Sequence, residues 1–262
     1  MTLPRPYWAD MTALDFSTDT DGWVAVVPTA AVEQHGPHLP LGTDAIIAEG
    51  MVRTVVERLP AELPVSFLPV QSVGKSNEHI AFRGTLTLSW ETAIKAWVEL
   101  GTALARAGIR RIVFVNSHGG NTAMLDVVTR ELRVRFDILA VHTAWSRFGD
   151  PGVIDADERA IGIHGGTEET ALVRHFRPDL VREEHVEAFA SEQTRLLAER
   201  THLVAHGPHA FAWKAGDLSP YGVVGDATRA TADMGRAIAE HQAAGFVELL
   251  RDVAAIDLVV LK

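Results

Sequence analysis

Three short segments hold most of the side chains that could do chemistry. The first runs Glu33-Gln34-His35-Gly36-Pro37-His38 and continues through Leu41-Gly42-Thr43-Asp44. Glu33 and His35 are two residues apart, so in an extended segment they project to the same side. Asp44 returns to that place after a Pro/Gly turn. The second segment is Asn116-Ser117-His118-Gly119-Gly120-Asn121, and the third is Ile163-His164-Gly165-Gly166-Thr167-Glu168-Glu169. Imidazoles mixed with carboxylates suit zinc, manganese or similar cations rather than soft copper, and a carboxylate can bridge two ions through its two oxygens.

Taken singly, each residue has an ordinary reading. Glu33 or His35 alone would be a solvated loop residue, and Asp44 reads as the N-cap of the following helix. On the helix opened by Thr167, Glu168 and Glu169 point about 100° apart. One of them therefore enters the site, and the other is expected to be a solvated first-turn carboxylate favoured by the helix dipole. His164, just before that turn, is placed to shuttle protons. Gly119 and Gly120 let the backbone turn sharply and approach a ligand. A Gly-rich turn could also cradle phosphate, but neither G-x-x-x-x-G-K-[ST] nor G-x-G-x-x-G is present.

The elements that must position these segments are legible from periodicity. Short β-branched runs at Trp23–Pro28, Val65–Val70, Arg111–Val115 and Ile138–His142 read as strands. Between and after them, Ala45–Leu59, Glu91–Ala107, Asn121–Phe136, Thr167–Phe176, Ala188–Thr201 and Thr231–Val253 read as helices. Ser89 is the expected N-cap of the second helix, and Gly108 its left-handed exit. This alternation predicts an α/β fold with a parallel sheet covered on both faces. Each chemical segment then follows a strand, at the carboxyl edge where open α/β sheets bind ligands. The stretch from His202 to Gly225, broken by Pro208, Gly216, Pro220 and Gly222, reads as loop with a short strand or two. Trp145, Trp213 and Tyr221 are the aromatic candidates for a pocket, whereas Phe82, Trp90 and Trp97 read as core or interface residues.

Composition narrows the classes. With 262 residues, 47% of them hydrophobic and 22% charged, the chain can bury one large core, and a single domain spanning 1–262 is expected. A net charge of -10 without a basic cluster argues against a nucleic-acid partner. There is no cysteine, so no thiolate can bind metal or act as nucleophile. The N-terminal residues lack a signal-peptide core, and no apolar run is long enough to span a bilayer, so no membrane partner and a cytoplasmic location are expected.

The three motifs E-x-H-G-x-H-L-P-x-x-T-D, N-x-H-G-G-N and H-G-G-x-x-E, in this order and spacing, resemble those of the creatininase family of amidohydrolases. Gly74-Lys75-Ser76-Asn77-Glu78-His79, Phe82-Arg83-Gly84-Thr85-Leu86 and Gly222-Val223-Val224-Gly225-Asp226 add to the resemblance, which covers roughly residues 20 to 240. It implies a three-layer α/β/α sandwich with a mostly parallel central sheet, commonly assembled as a homohexamer. It also implies two divalent metal ions, zinc and/or manganese with iron as a further option, held by Glu33, His35, Asp44, His118 and Glu169, with Asp44 bridging. His164 becomes the acid/base residue, and Ser76 and Gly119 belong beside the substrate.

Two departures bear on the substrate. Creatinine-hydrolysing members carry Tyr-Glu where this chain has Gly119-Gly120, the Glu serving as an extra metal ligand. They also carry a Trp-Asp pair where this chain has Ala160 and Ile161. These differences point away from creatinine and toward another cyclic amide, a formamide or a short peptide. The sequence leaves two further readings open: a non-catalytic metal-binding or scaffold homologue, and a hydrolase of a lactone or carbocyclic ketone.

Overall fold

The structure, a computed structural model, describes residues 3–261. Its strands are β1 (Val24–Thr29), β2 (Val65–Phe67), β3 (Arg111–Asn116), β4 (Leu139–Ala144), β5 (Ala188–Phe189) and β6 (Gly225–Asp226). Its helices are α1 (Thr43–Val56), α2 (Trp90–Arg106), α3 (Thr122–Phe136), α4 (Ala156–Ile161), α5 (Thr167–Phe176), α6 (Glu192–Glu199), α7 (Ala215–Leu218) and α8 (Ala232–Ala255). The first four strands form one parallel sheet in the order β2-β1-β3-β4, with Val24 opposite both Val65 and Arg111, and Arg111 opposite Leu139.

The period-two alternation of strand side chains divides the core into two layers. Val24 and Val26, with Val113, Val115, Val65 and Phe67, pack against α1, α5 and α8. Ala25 and Val27, with Ile112 and Phe114, pack against α2 and α3. Because both faces are covered, the strands read as continuous apolar runs. Phe246 of α8 is fully buried against Phe67, Trp145 and Phe148, a burial that stabilises by roughly 1.5–3 kcal/mol relative to exposure. The expected three-layer α/β/α sandwich is therefore the observed one, and among the described residues no helix is long and apolar enough to cross a membrane.

Local expectations fared unevenly. Ser89 caps α2 by accepting from the Thr92 N–H at 3.2 Å, and Gly108 leaves the helix at φ +85°. Strand β2 stops at Phe67 rather than Val70, since Pro69 has no N–H to offer the ladder. Asp44 is not a cap: Gly42 takes the N-cap position, and Asp44 lies buried inside the first turn of α1. Ala188–Thr201 is not one helix. Phe189 pairs antiparallel with Gly225 and packs on Val223 and Ala227, so tertiary contacts override helical propensity there and only Glu192–Glu199 is helical. Within His202–Gly225 the structure adds the short α7 and a bridge between Val204 and Ala210.

Candidate active site

The loops leaving β1, β2 and β3 are tied together at the carboxyl edge of the sheet. Asn121 does most of this: its amide NH2 donates to the Ala30 carbonyl at 3.0 Å, and its oxygen accepts from the Lys75 N–H at 2.9 Å. Asn116, at the end of β3, accepts from the His118 N–H at 3.2 Å and from the Thr29 hydroxyl at 3.1 Å. Gly36, at φ +75°, passes so close to Val223 that a Cβ there would lie 2.2 Å from its side chain. A side chain larger than hydrogen would therefore displace the Glu33–His38 turn.

This framework brings the expected ligand candidates into one cluster. His35 Nε2 lies 3.3 Å from Asp44 Oδ1, 3.7 Å from Glu169 Oε2 and 3.9 Å from Glu33 Oε1. His118 Nδ1 lies 3.2 Å from Glu33 Oε1 and 3.4 Å from Asp44 Oδ2. His164 Nδ1 is 3.6 Å from Glu33 Oε1. Glu33, His35, Asp44, His118 and His164 are all buried, whereas Glu169 keeps 23% of its side chain exposed and faces the open cavity. Its Oε2 accepts from the Gly165 N–H at 2.5 Å.

The outer nitrogen of each of these imidazoles meets a backbone carbonyl. Nδ1 of His35 lies 3.1 Å from the Glu33 carbonyl, Nε2 of His118 lies 3.0 Å from that of Lys75, and Nε2 of His164 lies 2.6 Å from that of Gln34. A carbonyl only accepts, so in the neutral rings the proton sits outside and the lone pair points inward at the carboxylates. Lone pairs and anionic oxygens this close repel unless a cation or a proton stands between them. Glu33 Oε1, His35 Nε2 and Asp44 Oδ2 are, moreover, buried with no hydrogen-bond partner. These orphaned atoms and the mixed nitrogen and oxygen donors fit a divalent metal. Overlapping sets that satisfy metal-ligand spacing are Glu33/His35/Asp44, His35/His164/Glu169, Glu33/Glu78/His118 and Glu33/His79/His164.

Without a cation, protons balance the charge. Burial opposes protonation of His35, but Asp44, Glu169 and Glu33 together push it up to about 10. His118 is likewise held well above the ordinary imidazole range, against its burial, by Glu33, Glu78 and Asp44. Burial raises Asp44 to about 6 even beside His35. His164 moves the other way: burial and then the charge of His35 lower it, which keeps it neutral.

Several neighbours have roles that the sequence did not reveal. Ser76 is fully buried, and its hydroxyl donates to Glu33 Oε2, so it braces a ligand candidate. Gln34 accepts from the Gly36 N–H at 2.9 Å and donates to the Gly222 carbonyl at 3.0 Å. Those bonds orient its amide, whose NH2 also lies 2.8 Å from His79 Nδ1. His79 therefore carries its proton on Nε2, 3.7 Å from Glu33 Oε1, and burial lowers it to about 3. The available signal was the segment Gly74-Lys75-Ser76-Asn77-Glu78-His79, which added to the family resemblance without assigning Glu78 or His79 a role.

Glu168 is not solvated as expected: it accepts from the Gln242 NH2 at 2.8 Å, and burial raises its pKa. Glu158, which the sequence did not single out, accepts from the Thr167 and Asp226 N–H groups at 2.9 Å each and so caps α5 from α4. Of the aromatic candidates, Trp145 and Trp213 line the cavity, while Tyr221 is 56% exposed, meets Phe189 edge-on and is not among the lining residues.

The cavity beside the cluster measures about 840 Å³, and its lining includes Lys75, Gly119, Arg147, Arg159, Phe211 and Trp213. A sequence profile of the creatininase family, described as creatinine amidohydrolase, matches residues 9–250. The chain belongs to the creatininase family. Among curated relatives, the mycofactocin precursor peptide peptidase of Mycobacterium tuberculosis is 36% identical over 219 residues, 81% of this chain and 78% of that protein. The creatinine amidohydrolase of Pseudomonas putida is 32% identical over 171 residues, 60% of this chain and 66% of that one. Among solved structures, one described as "Creatininase Mn" superposes with a TM-score of 0.75 at 23% identity, covering 97% of this chain and 100% of the other, a likeness that shows the shared creatininase fold.

Proposed function

We propose that this creatininase-family hydrolase cleaves an amide bond in a short peptide, using water activated by two divalent cations held by Glu33, His35, Asp44, His118 and Glu169. The observation that carries this reading is the convergence of inward imidazole nitrogens on partnerless, buried carboxylate oxygens, brought together from the loops after β1 and β3 and the first turn of α1. Zinc or manganese in such a site lowers the pKa of bound water toward neutrality and polarises the scissile carbonyl. Asp44 faces both His35 and His118 through different oxygens, which suits it to bridge.

The protein's own groups do the rest. His164, anchored to the Gln34 carbonyl through Nε2, has Nδ1 available to take a proton from the attacking water and return it to the departing nitrogen. Such a transfer is worth about 100- to 10,000-fold in rate. Its lowered pKa leaves it neutral and ready to accept. Gln34 and Ser76 hold His164 and Glu33 in place, and of the five ligand candidates Glu169 keeps the most side-chain surface exposed, 23%.

A peptide is favoured over creatinine by the shape of the site. Gly119 and Gly120 add no side chain, a Cβ at Gly119 would meet nothing within 4 Å, and the cavity holds far more than one small ring. Relatives that match most of the chain are named as peptidases of a precursor peptide. The test is an amine-release assay on a panel of short peptides, formamides and creatinine, before and after chelation and reloading with zinc or manganese. Metal-dependent peptide cleavage with negligible creatinine turnover is expected; cleavage that survives complete metal removal contradicts the reading.

A further inference from the structure

The two imidazoles with raised pKa are supported differently from behind. His35 is backed by the Glu33 carbonyl alone, whereas Nε2 of His118 faces two acceptors, the Lys75 carbonyl at 3.0 Å and Glu78 Oε1 at 3.5 Å. Glu78 keeps 13% of its side chain exposed, and its other oxygen accepts from Lys75 Nζ at 2.7 Å. Gly120 provides the room for this meeting. A Cβ there would fall 2.2 Å from Glu78 Oε1, 2.4 Å from His118 Nε2 and 2.7 Å from the Lys75 carbonyl. The imidazole and carboxylate thus occupy space that any other residue at 120 would take.

We propose that Glu78 is a positioning residue that holds His118 against the metal centre from behind. It shares the Nε2–H with the Lys75 carbonyl, which keeps that proton off Nδ1, fixes the ring plane and makes Nδ1 a stronger donor toward the cation that Glu33 and Asp44 also face. A carbonyl alone sets the tautomer; the added carboxylate supplies negative charge along the imidazole. Lys75 keeps the carboxylate turned to the outer side of the ring. One cation position then has charged backing and the other has none, so the two differ in affinity. This inference rests on the two-cation reading above, and loss of such an outer partner typically lowers metal affinity about 10- to 100-fold.

The experiment titrates zinc into the full chain against a competing chelator for wild type, Glu78→Gln and Glu78→Asp. Melting of the metal-free proteins serves as the fold control, and X-ray absorption counts the ligand atoms. Expected are two zinc ions in every variant, a loss of about 10- to 100-fold at one position only in Glu78→Gln, partial recovery in Glu78→Asp, and an unchanged ligand count. Gly120→Ala, whose Cβ drives the imidazole and carboxylate apart, is expected to weaken the same position. Should Glu78→Gln not fold, Glu78→Asp decides the matter, and wild-type affinity at both positions in that variant overturns the proposal. Binding of Glu78→Gln identical to wild type overturns the proposal, as does no recovery in Glu78→Asp. Loss of one oxygen from the ligand count also overturns it, because Glu78 would then touch the metal. A wild-type chain that binds no zinc overturns the two-cation reading itself, a failure distinguishable from that of Glu78 alone.

Discussion

Between Glu33 and Asp44 every candidate ligand is buried and pinned through its backbone or its neighbours, whereas from His202 to Tyr221 the chain forms a rim of short elements with exposed Leu203 and Tyr221. The first region is held by polar bonds that cross from one strand end to another, as Asn121 and Gln34 show. The second is held by a small apolar cluster of Leu196, Ala205, Leu218 and Val224, with Phe211 and Trp213 packed on it. A hydrogen bond from the Trp213 indole to the Ala205 carbonyl, at 2.9 Å, fixes one of the side chains that line the cavity. The difference separates two tasks: a rigid floor sets the chemistry, and a wall that can be reshaped independently sets what fits above it.

The comparison breaks most visibly at Asp44. Asp44→Asn removes the charge that faces both His35 and His118, and a neutral amide bridges dications poorly, so metal content and turnover are expected to vanish together while the metal-free fold persists. Elemental analysis beside an activity assay checks this; full metal content in the variant would remove Asp44 from the floor. His164→Ala should keep the metal and lower kcat about 100- to 10,000-fold. A fall in metal content comparable to that of Asp44→Asn would make it a ligand instead.

The pH response comes next in size. His35 is held protonated up to about 10 in the metal-free chain, and a ligand must be deprotonated to bind. Cation binding near neutral pH therefore releases a proton from His35, and apparent affinity rises with pH, up to about tenfold per unit for each proton released, until about 10. Calorimetry in buffers of different ionisation enthalpy reads that release; affinity independent of pH between 6 and 9 would contradict it. The smallest expected effect lies on the rim. Trp213→Ala should raise KM with kcat nearly unchanged, a loss of about 1–2 kcal/mol in kcat/KM, and leave metal content untouched.

The same division governs what the sequence discloses. The floor is partly legible because metal chemistry restricts residue types: Glu33, His35, Asp44 and His118 stand out as candidates from type and spacing, the full set with Glu169 rather than Glu168 comes only from the resemblance to the creatininase family, and the α/β alternation can be read from periodicity. Roles that depend on long-range packing were hidden. Asp44 reads as a cap because its neighbours have the right local pattern, yet the cluster draws it inward. Glu168 reads as solvated, but Gln242, which sits on α8 far along the chain, covers it. Phe189 reads as helical until Gly225 pairs with it. Glu78 and His79 sit in a single 3-10 turn, Asn77–His79, too short for any periodicity to signal that they will face His118 and Glu33.

Metal stoichiometry of the purified chain after reconstitution tests the account most directly. Elemental analysis after loading with zinc or manganese and removal of excess should find about two equivalents per chain, as in other two-metal hydrolytic sites. One equivalent or fewer, in protein shown to be folded, would contradict the claim that these three chain segments share a pair of cations.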